Sequence, residues 1–502
     1  MGFAKIHSGQ TRFLAGQIID IEIDLSRGLH AFSIVGLADK SIEEAKDRIS
    51  AAIKNSGFTS PKQKNQKVVI SLAPADIQKV GPAFDLAMAV GYLCASEDIS
   101  FDAHKKLFLG ELSLDGRVRP ISGTLAIVRE AVKKNFTELF VPYENVAEAS
   151  LIENITVYGV KTLRDVIYHL QHRKKITPHD RSVNTPTPSL GSSSRSHTLF
   201  EHIVGQDEAK RALEIAVAGA HNVLLIGPPG TGKTTLARAA QHVLPPLSRD
   251  ETLEVITIQS VLGVHRTSHT YATRPFRAPH HTSSHTALAG GGTHPKPGEM
   301  TLAHRGILFL DEFPEFDRRV IESLRQPLEE HVVSISRAKD SVMFPAHFML
   351  IAAMNPCPCG WYGHPKKECR CSPRDRARYM QKISGPILDR IDLRVLVPAL
   401  TSKQFHSRAQ TEDTARIRTN IERVRHIQRG RQKNNHTDTL SALSPEAHRT
   451  LMTSAESLDL SMRSLHRTAR VAQTIADLDN SPRTEKNHVL EALQFRGPSD
   501  LT

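Results

Sequence analysis

The chain has 502 residues, of which 39% are hydrophobic and 24% charged, the composition of a soluble globular protein with room for roughly three domains. Lys and Arg outnumber Asp and Glu by 65 to 53, giving a formal charge of +12; polyanions are therefore plausible partners, although charge alone does not separate nucleic acid from acidic protein. No run of about 18 apolar residues exists, and Met1–Ser8 lacks both a basic start and an apolar core, so a cytoplasmic protein that neither spans nor anchors to a membrane is expected.

Residues 1–171 alternate strand and helix signals: the strand Val68–Leu72, a break at Gly81-Pro82, the apolar helix Phe84–Leu93, the short strand Leu107–Leu109 and a turn at Asp115-Gly116. The segments Gln78-Lys-Val-Gly-Pro-Ala-Phe-Asp85 and Gly110-Glu-Leu-Ser-Leu-Asp-Gly-Arg-Val-Arg-Pro-Ile-Ser-Gly123 resemble the proteolytic domain of Lon proteases. Aligned on that family, Ala83 holds the place of the serine nucleophile and Leu125 that of the lysine base. Neither side chain attacks a carbonyl or accepts a proton, so the resemblance implies a degenerate α/β domain without protease chemistry.

Residues 172–198 are rich in Pro, Ser, Thr and charge and read as a linker. Beyond it the apolar run Val223–Ile226 leads into Gly227-Pro-Pro-Gly-Thr-Gly-Lys-Thr234, which satisfies every constrained position of the P-loop pattern. Backbone N–H groups of Gly227, Pro229-flanked Gly230, Thr231 and Gly232 would close on a phosphate chain, with Pro228 and Pro229 shaping the turn. Lys233 would meet the β and γ phosphates, Thr234 would offer its hydroxyl to Mg²⁺, and Thr235 opens the following helix. Ile307–Leu310 is a second buried strand that ends in Asp311 and Glu312. Neighbouring residues at a strand end point to opposite sides, so Asp311 can serve the Mg²⁺ shell while Glu312 polarises an attacking water. A third apolar strand, Phe348–Met354, stops at Asn355, whose amide could orient that water.

This order of pieces resembles the AAA+ ATPases, with a P-loop parallel-sheet domain over 199–397 and a helical lid over 398–502. Phe200-Glu-His-Ile-Val-Gly-Gln206 looks like the segment that covers adenine in that superfamily. Pro297–Glu312, Ala353–Gly360 and Ser384–Leu393 are similar to the magnesium-chelatase ATPase subunits and the minichromosome-maintenance helicases. The resemblance implies that Arg390 is an arginine finger acting on a neighbouring subunit. It also implies that Arg463, in a helix shared with Arg467 and Arg470, senses the nucleotide of its own subunit. A finger acting across a boundary requires a ring, which in this superfamily is usually a hexamer.

Three further features bear on what the motor grips. Val332–Ile335 and Val342–Phe344 read as a hairpin whose basic tip carries Arg337 and Lys339, either of which could hold a phosphate backbone. Upstream, Arg274-Pro-Phe-Arg277 and the histidines that follow could also contact DNA, while His281 and His285 stand at the spacing of two helical metal ligands without an acidic or thiol partner nearby. Cys357, Cys359, Cys369 and Cys371 lie within fifteen residues, and four thiolates suit a closed tetrahedral Zn²⁺ site. A degenerate Lon-like domain beside a magnesium-chelatase-like ATPase resembles the competence-associated AAA+ family. That resemblance implies an ATP-dependent hexameric DNA helicase driving branch migration during recombination and natural transformation. Its rivals are a metal-chelatase motor subunit and a protein-remodelling ATPase.

Overall fold

The computed structural model describes residues 2–179, 200–264, 273–292, 295–336, 341–399, 414–433 and 439–496. They divide into two compact units, one holding residues 2–179 with 249–264 and the other the remainder.

The first unit is built on a seven-stranded sheet of β1 (Gly2–Arg12), β2 (Ala15–Arg27), β3 (Ala31–Val35), β4 (Gln66–Ala73), β5 (Lys106–Phe108), β6 (Glu138–Pro142) and β7 (Thr156–Val160). Their order is β3-β4-β2-β1-β5-β6-β7. β1 pairs antiparallel with β2 from Gly2 opposite Leu25 to Arg12 opposite Ala15, and β5, β6 and β7 run parallel to one another. On β2 the alternation is strict: Ile19, Ile21, Ile23 and Leu25 are buried while Asp20, Glu22 and Asp24 reach the other face, which pins the register because a one-residue slip would bury three carboxylates. Helices α1 (Lys40–Asn55), α2 (Asp85–Ala95), α3 (Thr124–Lys133) and α4 (Leu163–Leu170) complete the unit. The apolar α2 is enclosed nearly all round, and its one acid, Asp85, is gripped by Arg48 at 2.7 and 3.1 Å.

The helix Arg249–Val261 belongs to this unit, although the boundaries read from sequence place it inside the ATPase domain. Its Leu253 and Ile256 enter the apolar cluster that contains Ala83 and Leu125, the two positions where a Lon protease would carry its dyad. Gly123 N–H donates to Ser260 O at 3.0 Å. Both Leu125 N–H and the Ser260 hydroxyl bond Glu148. Leu253 and Ile256 thus pack beside the two positions that the Lon resemblance would give to a dyad.

In the second unit α5 (Asp207–Gly219), β8 (Val223–Ile226), α6 (Lys233–Val243), β9 (Phe276–Arg277), β10 (Ile307–Leu310), β13 (Met349–Met354) and β14 (Leu393–Leu396) form the ATPase core, with a hairpin of β11 (Val332–Ser336) and β12 (Ser341–Pro345) between β10 and β13. The sheet order is β9-β10-β13-β8-β14 and every pairing is parallel. β8, β10 and β13 are buried on both faces, which is why each reads as a continuous apolar run. The lid helices α7 (Thr414–Lys433), α8 (Pro445–Ser457), α9 (Met462–Leu478) and α10 (Lys486–Gln494) share one core with this sheet, joining Ile421, Val424, Ile475 and Val489 to Leu213 and Val217 of α5. Among the described residues no helix is long and apolar enough to cross a membrane.

Candidate active site

In a parallel sheet the carboxyl ends of the strands share one edge, where crevices for ligands form. Here that edge collects the P-loop after β8, Asp311 and Glu312 after β10, and Asn355 after β13. The loop has the backbone that a phosphate cradle needs: Gly230 and Gly232 lie at φ +80 and +89. A Cβ on Gly227 would stand 2.1 Å from Val397 O, so side chains are excluded there by space. Lys233 opens α6 and is buried; its ammonium donates to Gly227 O at 2.6 Å, Pro228 O at 2.9 Å and Asn355 Oδ1 at 3.4 Å. Burial draws its pKa below the ordinary lysine value, with Asp311 and Glu312 opposing, so an arriving phosphate would repay the desolvated charge. The Thr234 hydroxyl donates to Asp311 Oδ2 at 2.8 Å. Those two oxygens are suited to Mg²⁺, a hard cation that favours carboxylate and hydroxyl ligands together with phosphate, and the ion would supply charge neutralisation along the phosphates.

Glu312 turns away from Asp311 because it adopts φ +52, the left-handed region, as the residue before the turn Phe313–Glu315. For a side chain without local compensation this costs on the order of 1 kcal/mol or more, and it aims the carboxylate at His281, whose Nδ1 lies 3.0 Å from Glu312 Oε2. His281 precedes the short helix His285–Ala289 and is not in it, so the two histidines do not share a helical face, in keeping with the absence of further ligands beside them in the sequence. His281 instead anchors the acid, a role that no local spacing in the sequence signals.

Arg390 is buried, and its partner is Glu329 at 2.7 Å, not the neighbouring Asp389 or Asp392. Glu329 also takes Arg463 at 3.0 Å, and the Arg390 guanidinium beside it holds the Glu329 carboxyl below its ordinary range. The Arg390 carbonyl accepts from Asn222 Nδ2 at 3.1 Å and Arg467 Nη1 at 3.0 Å. Asn222 immediately precedes β8, whereas the P-loop follows it. Four residues of strand, roughly 13 Å, separate this cluster from the phosphate edge of its own sheet. Arg390, expected as a finger for a neighbouring subunit, and Arg463, expected as a sensor of its own subunit's nucleotide, thus share the Glu329 carboxylate.

Arg274 and Arg277, expected as DNA contacts, each bond within the chain. Arg274 donates to Pro245 O and Arg305 O, both at 2.6 Å, and to Pro246 O at 3.4 Å. Arg277 grips Glu299 through two bonds of 2.5 and 2.6 Å, which raise its pKa. Both guanidiniums are committed to holding loops in place. Arg337 and Lys339 lie outside the described residues, between β11 and β12.

The four cysteines converge, with all sulfurs within 4.8 Å of one another. Cys357 Sγ stands 3.4 Å from Cys359 Sγ and 3.6 Å from Cys369 Sγ. A tetrahedral Zn–S length of about 2.3 Å requires sulfurs about 3.8 Å apart, so the set fits Zn²⁺ with little adjustment. Its loop bears on the nucleotide site: Gly360, at φ +82, approaches Pro229 so closely that a Cβ would fall 2.8 Å from the proline ring.

Comparison with known proteins bears on all three regions. Residues 199–405 match the family described as magnesium chelatase, subunit ChlI, residues 411–496 its C-terminal family, and residues 21–145 the family described as subunit ChlI of Mg-chelatase. The competence protein ComM of Haemophilus influenzae is 38% identical over 99% of this chain and 98% of its own length. The chain belongs to the ComM/YifB-like family of magnesium-chelatase-type AAA+ proteins. YifB of Escherichia coli, itself uncharacterised, is 36% identical over 99% of the chain and 97% of its own length. The 67 kDa magnesium-chelatase subunit of Heliobacterium mobile is 29% identical over 32% of the chain and 28% of its own length. Membership of this family implies an ATPase that uses nucleotide and Mg²⁺.

Proposed function

We propose that this member of the ComM/YifB-like family is an ATP-driven DNA translocase that works as a hexameric ring in the cytoplasm, moving DNA junctions by branch migration during homologous recombination and natural transformation. The observation that carries the motor is the division of the catalytic set between the two ends of one sheet. Lys233, Thr234, Asp311, Glu312 and Asn355 occupy the phosphate edge, while Arg390, whose carbonyl is held by Asn222 at the other end of β8, serves as the finger for a neighbouring subunit. Hydrolysis then depends on the arrangement of neighbours, and a change of nucleotide state becomes relative motion of subunits.

DNA as the cargo is supported by the net charge of +12 and by the whole-length similarity to a protein named for competence. The hairpin β11–β12, whose ladder closes at Ser336 opposite Ser341, carries Arg337 and Lys339 in the four residues beyond. The four thiols hold one structural Zn²⁺ per chain. The magnesium-chelatase descriptions of the matching families favour a second reading, a motor for metal insertion into a porphyrin. ATP hydrolysis measured with forked DNA, with porphyrin and Mg²⁺, and with unfolded protein separates these readings and the protein-remodelling one. Stimulation by forked or single-stranded DNA is expected; its absence with every DNA structure overturns the translocase.

A further inference from the structure

The loop that carries the four thiols is not explained by metal binding alone, because its outward side has a composition of its own. Between residues 361 and 378 stand Lys366, Lys367, Arg370, Arg374, Arg376 and Arg378 against two acids, Glu368 and Asp375. Interleaved with them are Trp361, the one tryptophan of the chain, and Tyr362, which is 42% exposed. Two aromatic side chains left partly in water on a loop so strongly basic are unfavourable for solubility and unneeded for a core. Lys367 Nζ lies 3.7 Å from the Trp361 ring centroid, and the Arg376 guanidinium 4.3 Å from that of Tyr362. His364 meets Trp361 edge-on at 5.3 Å. The thiol cluster fixes the base of this surface: Tyr362 N–H donates to Cys357 Sγ and Gly360 N–H to Cys357 O.

We propose that this face is a stacking platform for single-stranded nucleic acid, with bases laid on Trp361 and Tyr362 and the flanking phosphates met by Lys366, Lys367 and Arg370. Aromatic rings that accept any base, combined with cations that track a backbone, are the recognised means of binding single strands without reading sequence. A cation already resting on each ring places positive charge beside the stacking surface. The inner side of the same loop touches Pro229 of the P-loop through Gly360 and follows Asn355 by two residues, so a strand seated outside is linked through few bonds to the phosphate site within. The inference deepens the translocase reading and rests on it, since it names where the strand is held.

Because Trp361 is the sole tryptophan, its emission reports this surface in the unaltered full-length protein. Titration with an oligothymidylate of about 20 nucleotides should quench that emission saturably. The midpoint should match that measured independently by anisotropy of a labelled oligonucleotide and should weaken as salt rises. Trp361→Ala should lose about tenfold or more in affinity, the loss of one stacked base, and the combined Lys366→Ala, Lys367→Ala and Arg370→Ala change should reduce the salt dependence, with zinc content measured in each variant to show that the loop still folds. If the oligonucleotide binds by anisotropy while Trp361 emission is unmoved, the strand lies elsewhere and the platform is overturned, leaving the translocase intact. Binding by neither measure removes the translocase reading itself. Equal quenching by heparin, which has charge but no bases, overturns stacking. Emission that responds only to ATP or to protein concentration assigns the face to a boundary between subunits instead.

Discussion

Glu312 is the side chain whose removal is most informative. Its left-handed backbone and the contact with His281 place the carboxylate on the phosphate edge without committing it to the Asp311 shell. Glu312→Gln keeps the shape and loses the basicity. It should therefore bind ATP nearly as tightly as the parent, judged with a fluorescent analogue, while phosphate release slows on the order of 10²-fold or more. Near-normal turnover would place the base elsewhere. Lys233→Ala should lose binding as well, since Lys233 is the one lysine of Gly227–Thr234. For Arg390 the decisive measurement is a mixture. Arg390→Ala alone should slow hydrolysis by about 10³-fold, the scale of a lost arginine finger. Mixing it with Glu312→Gln subunits, which cannot hydrolyse but retain the arginine, should restore part of the rate. Two inactive variants that stay inactive together would refute action across a boundary.

Elements differ in how openly the sequence announces them. β8, β10 and β13 are legible because a parallel strand covered on both faces must be apolar throughout, and the acids that end β10 follow from the chemistry at its end. The two-stranded hairpin β11–β12 is legible from alternation. The docking of Arg249–Val261 on the first unit is not, because its apolar residues Leu253 and Ile256 name no partner. The cluster they enter is assembled from residues more than ninety positions earlier. The same limit hid the pairing of Arg463 with Glu329, since helical spacing gives a face but not the partner that the face meets. It also hid the use of Arg274, whose acceptors are carbonyls of distant loops. The docked helix makes a prediction: Ile256→Ala should cost about 2–4 kcal/mol and lower the unfolding midpoint of the first unit. Ala83→Ser with Leu125→Lys should yield no peptidase, because the groups would face Leu253 and Ile256 instead of substrate. An unchanged midpoint for Ile256→Ala would mean that the helix is not held there. For the cysteine loop, Cys369→Ser with Cys371→Ser should remove one Zn²⁺ per chain by atomic absorption; equal metal in parent and variant would exclude these thiols as its ligands.

At the scale of the whole molecule, the second unit carries a dependence on acid that its carboxylates do not explain. Burial holds His221 down at about 3 and His347 at about 4. His221 bonds Thr474 at 2.9 Å, and His347 stacks on His331 at 4.0 Å with an Arg305 guanidinium nitrogen 2.9 Å from its Nδ1. Both rings therefore fold neutral. In the unfolded chain each returns to about 6.5, so below that pH the unfolded state takes up protons that the folded state refuses, and stability falls as pH falls. The loss should begin near pH 6.5 and continue toward pH 4, amounting to roughly 2–3 kcal/mol for each ring by pH 4.5. Carboxylates held low by ion pairs, such as Glu329, lose their contribution only at lower pH, which separates the two causes. His347→Gln should be less stable than the parent at pH 7.5, through loss of the ring packed on His331, yet its unfolding midpoint should decline less between pH 6.5 and 4.5. Parallel declines in parent and variant would mean that His347 is protonated in the folded protein, and the acid sensitivity would then have to arise from groups other than this buried ring.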